Sequence, residues 1–213
     1  MATRKLPPTE EFDKALTEGA AAFGVAPSEE ARARLLDYFG LVGRWNARLH
    51  LVSPCAPAEF ATRHVLESLV ALAHMPEGGS FVDVGSGAGL PAIPCLVARP
   101  DLSATLYESS QKKAVFLRET LHALGLNGRA SVVAERFEKT PAPAADRLTC
   151  RAIERFTEIL PHLLKWSEQV PTLLLFGGEN LRERLDSLAV EFETVRVPES
   201  ERRFLFVVRR RVR

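Results

Sequence analysis

Cysteine is scarce in this chain, and no arrangement puts it to use. Cys55, Cys95 and Cys150 are scattered and odd in number, no C-x-x-C pair occurs, and the five histidines show no metal-ligand spacing. Neither a disulfide framework nor a zinc site is supported, so no metal is expected. Long apolar runs are missing too: none approaches the ~20 residues that cross a bilayer. The N-terminal stretch Met1-Ala2-Thr3-Arg4-Lys5-Leu6-Pro7-Pro8 lacks a hydrophobic signal region. A cytoplasmic protein with no membrane partner is expected. An excess of one charge sign is also absent, the formal net charge being +1. Its distribution is uneven, however. Six arginines fall in the last twelve residues: Arg202, Arg203, Arg209, Arg210, Arg211 and Arg213. Taken alone they read as a solvated basic end; combined with other basic residues they form an electrostatic footprint for RNA.

What is present fits an ordinary globular protein, with 46% apolar and 26% charged residues in 213. That length buries one sizeable core with a small appendage. Up to about His74 the pattern is helical. Thr9 followed by Glu10 and Glu11 reads as a helix N-cap, and Ser28-Glu29-Glu30 repeats the signal. Ala31, Leu35, Phe39 and Val42, with Trp45 behind them, recur at helical spacing, and Ala58 to His74 reads as another amphipathic helix. Met75-Pro76-Glu77-Gly78-Gly79 is the best boundary, dividing an N-terminal helical extension (1–77) from a second unit (78–213).

Past that boundary short apolar runs alternate with helical stretches. Strands are predicted over Ser80 to Val84, Ala104 to Glu108, Ser131 to Ala134, Arg147 to Cys150 and Thr172 to Phe176. Helices are predicted near Pro91 to Ala98, Gln111 to Leu124, Phe156 to Lys165 and Leu181 to Leu188. A hairpin-like pair, Glu191 to Val197 and Arg203 to Val208, closes the chain. The expectation is an α/β fold: a doubly wound, mostly parallel seven-stranded sheet of the Rossmann-like methyltransferase kind, with an antiparallel edge.

The densest signal is Phe81-Val82-Asp83-Val84-Gly85-Ser86-Gly87-Ala88-Gly89-Leu90, with Glu108 about 20 residues beyond the turn. An apolar strand enters a glycine turn, the turn opens a helix, and an acid ends the next strand. That is how an open sheet holds a nucleotide-bearing cofactor. Leu90 stands where the dinucleotide fingerprint has its third glycine, and Asp83 lies two places before the first. Both details favour S-adenosylmethionine over NAD or FAD. Gly85, Gly87 and Gly89 would pass the methionine part, Asp83 would lie near its ammonium, and Glu108 would take the ribose hydroxyls. Glu135-Arg136-Phe137-Glu138 offers a main-chain contact and an acceptor for the adenine amino group.

The substrate end of such a sheet lies past the fourth strand, at Asp146 to Arg151. Arg151 is the residue expected to act there, since a guanidinium holds a carboxylate or phosphate bidentately or stacks on a base. Its plainer reading is a surface arginine paired with Glu154. Cys150 raises the rival of a thiolate that attacks cytosine. A lone strand-end cysteine is more often a small core residue, and Pro54-Cys55 and Pro94-Cys95 fall outside the fourth-strand region. Adenine amino-group chemistry would require an Asn- or Asp-Pro-Pro-aromatic motif, where this chain reads Cys150-Arg151-Ala152-Ile153.

Several separated motifs then resemble the RsmG (GidB) family, which methylates N7 of a guanine in 16S ribosomal RNA. Trp45-Asn46-Ala47-Arg48-Leu49-His50-Leu51-Val52 is similar to that family's aromatic-Asn and Asn-Leu-Thr segment. His64-Val65-Leu66-Glu67-Ser68-Leu69 resembles its His-x-x-Asp-Ser-Leu, and Asp83 to Pro94 its Asp-Val-Gly-Ser/Thr-Gly-x-Gly-x-Pro-Gly-Ile-Pro. Glu108-Ser109, Lys112-Lys113, Phe116-Leu117, Arg136-Phe137-Glu138 and Arg151-Ala152 follow in register. The resemblance implies cofactor contacts at Gly85, Leu90, Phe137, Glu138 and Arg151, with Glu108 in the ribose role and S-adenosylhomocysteine as product. It makes Lys112, Lys113, Arg136, Arg202 and Arg203 candidates for RNA phosphates. Departures are Glu67 for Asp, His50 for Asn, Ala92 for Gly, and Gly177-Gly178 where Lys-Gly is common.

Guanine N7 carries an in-plane lone pair and no proton, so its methylation needs alignment and a tolerant electrostatic environment more than a general base. The leading expectation is therefore a guanine-N7 methyltransferase acting on ribosomal RNA or the small subunit, as a monomer with no protein partner. The alternatives are a methyltransferase of the same fold on another RNA, a protein or a small molecule, and a non-catalytic RNA- or nucleotide-binding module. NAD-dependent oxidoreduction is disfavoured by Leu90.

Overall fold

Seven strands form a single sheet in the order β3-β2-β1-β4-β5-β7-β6 in the computed structural model, which describes residues 7–151 and 155–210. Ala152, Ile153, Glu154, Arg211 and Arg213 lie outside the described residues. The strands are β1 (Ser80–Val84), β2 (Ser103–Tyr107), β3 (Ala130–Val133), β4 (Arg147–Arg151), β5 (Thr172–Gly177), β6 (Glu193–Arg196) and β7 (Phe204–Arg209). The first five run parallel, and β7 lies antiparallel between β5 and β6. All five predicted parallel strands are present within a residue or two, and the closing pair is an antiparallel edge as expected. Glu108 falls one residue beyond β2, its amide still donating to the Val133 carbonyl at 3.1 Å.

Four helices connect the strands: α5 (Ala92–Ala98), α6 (Gln111–Ala123), α7 (Phe156–Trp166) and α8 (Glu179–Ser187). Before the sheet come α1 (Pro8–Gly19) and α2 (Glu29–Leu49). Ser28 caps α2, its Oγ accepting the Ala31 amide at 3.1 Å, a contact worth about 1 kcal/mol. Thr9 caps nothing: α1 begins at Pro8, whose ring already has helical φ and whose missing N–H costs nothing at that position. The buried stripe of α2 is Ala31, Leu35, Tyr38, Leu41 and Val42, while Phe39 and Trp45 are only half-buried.

The segment 57–74 is not one regular helix. It is α-helical over Pro57–Glu59 (α3), π-helical over Phe60–Leu66, α-helical again over Glu67–Leu69 (α4) and 3-10 over Val70–His74. A π turn widens the helix by one residue and redirects backbone carbonyls, and such turns are frequent at functional sites.

The sheet separates two apolar layers. On one face Phe81, Leu106, Leu174, Phe176, Leu205 and Val207 pack with α5, α6 and the N-terminal helices in a continuous cluster. On the other, Val82, Val84, Leu148, Cys150, Leu173 and Leu175 pack with α7 and α8. Strand parity sets these sides. Asp83 lies between Val82 and Val84, and Thr149 and Arg151 flank Cys150, so all three side chains project to the face that the N-terminal helices cover.

Candidate functional site

β1 neighbours both β2 and β4, so the strand order reverses there, and ligands of open α/β sheets sit at the carboxyl ends of the strands at that point. The turn Gly85 to Gly89 occupies this place. Its amides at Gly85 and Ser86 both donate to the Tyr107 carbonyl, at 2.9 and 3.0 Å, which ties the turn to the end of β2. Two of its glycines differ in what surrounds them. A side chain at Gly89 would stand 2.3 Å from Ile93 Cδ1, so the packing of α5 requires that glycine. At Gly87 an added Cβ would meet only the Gly85 carbonyl oxygen, at an ordinary 3.7 Å, so packing within the protein does not require a glycine there. Both lie at positive φ. Leu90 is buried in the first core layer.

Tyr38 supports the turn from α2. Its hydroxyl donates to the Ala88 carbonyl at 2.8 Å, and burial raises its pKa further above the ordinary phenolic value. Nothing in the sequence pattern singled it out, because a buried aromatic on a helical stripe reads as core.

Glu108 turns back towards the glycines. Its Oε2 accepts the Gly87 amide at 2.9 Å and its Oε1 the Ser110 amide at 2.7 Å. Asp83 is fully buried beneath the turn. Its Oδ1 accepts from Thr149 Oγ1 at 2.6 Å, the residue directly opposite on β4, whereas Oδ2 has no partner. Burial pushes the Asp83 carboxyl up to about 7, against the nearby hydroxyls of Ser86, which donates to the Asp83 main-chain carbonyl at 3.1 Å, and Thr149, both of which favour its charge. A buried carboxylate oxygen without a donor costs free energy on the order of 1–3 kcal/mol. That oxygen is suited to a cationic ligand group.

Phe137 and Glu138 open a single 3-10 turn (Phe137–Lys139) past β3. Phe137 packs edge-on against Trp166 with ring centroids 5.2 Å apart, and so does Tyr107 at 5.3 Å. Trp166 Nε1 donates to the Thr140 carbonyl at 2.6 Å, which fixes this aromatic wall. The Glu138 carboxylate pairs with Arg136 at 3.1 Å, and that guanidinium holds its pKa below the usual range against a desolvation that acts the other way. The structure thus brings Asp83, Gly85, Gly87 and Glu108 together directly, with Phe137 and Glu138 on a neighbouring turn.

Arg151 does not stand as a surface arginine. Its side chain is 12% exposed and reaches into the π-helical segment, pairing with Glu67 Oε2 at 3.1 Å. It also donates to the carbonyls of Arg63 at 2.6 Å and His64 at 3.3 Å, and to Ser68 Oγ at 3.0 Å. The other Glu67 oxygen takes Arg203 at 2.7 Å. Of the basic candidates, Arg203 therefore joins Arg151 through Glu67, and Arg136 is paired with Glu138. Lys112 and Lys113, in the first turn of α6, have no ion pair among the described residues, and Arg202 is exposed at the carboxyl end of β5. Cys95 and Cys150 are buried, and burial raises both thiols above their ordinary pKa, so neither is a ready thiolate. The described cavities of about 370 and 630 Å³ lie elsewhere and do not touch the turn.

Residues 31–206 match the model of the GidB family, described as rRNA small subunit methyltransferase G. The ribosomal RNA small subunit methyltransferase G of Nitrosomonas eutropha is 41% identical over 71% of this chain and 73% of its own length. That of Serratia proteamaculans is 34% identical over 89% and 95%. Among solved structures, Pyrococcus horikoshii TYW2 in complex with MeSAdo superposes with a TM-score of 0.53 at 17% identity, covering 68% of this chain and 62% of that one. The 23S rRNA methyltransferase ErmE does so with 0.51 at 17%, covering 68% and 66%. At these identities the likeness is one of fold. No helix among the described residues is long and apolar enough to cross a membrane.

Proposed function

Because the chain belongs to the ribosomal RNA small subunit methyltransferase G (GidB) family, we propose that it transfers a methyl group from S-adenosylmethionine to N7 of a guanine in small-subunit ribosomal RNA. The observation that carries the cofactor assignment is the unpartnered, fully buried Asp83 Oδ2 beneath a glycine turn whose Gly87 is not crowded by any side chain. When bound, S-adenosylmethionine supplies a methyl group already activated on a sulfonium.

The chain's own residues then bind and orient. Asp83 answers an ammonium, and Glu108 has the two acceptor oxygens that a ribose diol needs, once they exchange their present amide donors. Phe137 and Glu138 supply an apolar edge and an acceptor for the adenine. Gly85 and Leu90 bracket the close approach of backbone to ligand. Arg151, held at the end of β4, completes the substrate side and is also a proposed cofactor contact. Lys112, Lys113, Arg136, Arg202 and Arg203 are the proposed RNA contacts. In-line attack by the N7 lone pair removes no proton, which agrees with raised cysteine pKa values and with carboxylates engaged in binding. Residues 78–213 form the catalytic unit and 1–77 a helical extension packed on it, in a soluble monomer.

Calorimetry with S-adenosylmethionine, S-adenosylhomocysteine and NAD tests the cofactor half. Binding of the first two and silence with NAD is expected; tight NAD binding with no response to S-adenosylmethionine would end the proposal.

A further inference from the structure

We infer that Glu67 is a positioning residue for the methyl-transfer site, acting through Arg151. This rests on the function proposed above. The carboxylate is 3% exposed and lies between two guanidiniums from distant parts of the chain, Arg151 at 3.1 Å and Arg203 at 2.7 Å. Arg151 is the last residue of β4, and the strand register sets it beside Phe176 of β5, whose ring lies 5.7 Å from the guanidinium carbon. Arg203 immediately precedes β7, whose first residue pairs with Gly177 at the end of β5. One carboxylate therefore fastens the carboxyl ends of β4 and β5 and the start of β7 to the helical segment 57–74.

The π turn is part of the fastening. Widening over Phe60–Leu66 turns the carbonyls of Arg63 and His64 towards β4, and Arg151 takes both while Ser68 Oγ donates to the second at 2.5 Å. All four acceptors of the Arg151 guanidinium thus come from one helical stretch. A guanidinium held so firmly is preorganised, and preorganised charge at a reacting centre is where such a site gains its rate. The side chain of Glu67 faces Arg151 and Arg203 and touches no turn glycine, so it reaches the cofactor only through Arg151 and its effect falls chiefly on turnover.

The test is methyl transfer to unmodified small ribosomal subunits by wild type, E67Q and E67D, with cofactor affinity and melting temperature measured alongside. E67Q keeps the shape and removes the charge; kcat should fall at least tenfold while the S-adenosylmethionine Kd stays within about twofold. E67D restores the charge and should recover kcat to within a few-fold. If E67Q does not fold, S68A serves, because it removes one neutral acceptor from Arg151; kcat should then fall about threefold at unchanged Kd. Wild-type kcat in folded E67Q, or in S68A should that be the variant used, overturns the inference, as does a loss confined to Kd. A wild-type enzyme that methylates no small-subunit RNA would count instead against the proposed function.

Discussion

The hydroxyl of Tyr38 donates to the carbonyl of Ala88 at 2.8 Å, so a helix that precedes the sheet holds the glycine turn in place. Replacing Tyr38 with Phe leaves that carbonyl without a partner in a buried setting, at a cost of about 1–3 kcal/mol. A lower melting temperature is expected, with cofactor affinity reduced several-fold because the turn loses its outer support. Thermal melting with and without S-adenosylmethionine measures both. An unchanged affinity would show that the turn stands by itself.

Gly87 and Gly89 should separate binding from folding. Gly87→Ala adds an uncrowded methyl group at positive φ, costing stability on the order of 1 kcal/mol. Its main effect should be loss of S-adenosylmethionine binding, by ten-fold or more. Gly89→Ala drives a Cβ against Ile93 and should mainly destabilise the fold, by about 2 kcal/mol or more. Denaturant titration and calorimetry on both variants check this. Equal effects on binding would remove Gly87 from the cofactor site.

Much of this arrangement was legible in the sequence and some was not. The glycine turn, Asp83 and Glu108 could be read because strand, turn and acid are neighbours in the chain. Thr9 has the residue type of a cap with acids behind it, yet Pro8 opens the helix itself. The π turn over Phe60–Leu66 was not legible, since a widened turn leaves the apolar spacing of an amphipathic helix nearly unchanged. Arg151 sits at the end of β4, where the strand pattern predicts it; the plainer reading pairs it with Glu154, outside the described residues, whereas Glu67, its observed partner, lies 84 positions away. Parity along β4 put Thr149 and Arg151 on one face; which helix covers that face was a matter of tertiary packing.

Asp83 should make cofactor binding pH-dependent. Its folded-state pKa of about 7 lies above the ordinary value. It therefore stabilises the fold below about pH 4 and loses that contribution as pH rises to about 7. A cationic ligand favours the ionised form, so affinity for S-adenosylmethionine should rise from about pH 6 to about pH 8, with proton release. Asp83→Asn should bind more weakly and without that slope. Calorimetry in buffers of different ionisation enthalpy reads the proton directly; a flat wild-type profile would contradict the assignment.

His64 works with the opposite sign. Burial and the charges of Arg151 and Arg63 lower its pKa to about 4, so it is neutral in the folded protein. Its contribution to stability is complete above the ordinary value near 6.5 and is lost as pH falls towards 4. With allowance for partial exposure this amounts to about 1–2 kcal/mol. His64→Gln should flatten the acid limb of the stability curve between about pH 6.5 and about pH 4, as measured by urea titration.

Small ribosomal subunits lacking the modification, incubated with this protein and methyl-labelled S-adenosylmethionine, should acquire the label in their RNA. Nuclease digestion should then release it as 7-methylguanosine. Label recovered in another nucleoside, or in protein with none in the RNA, would contradict the account.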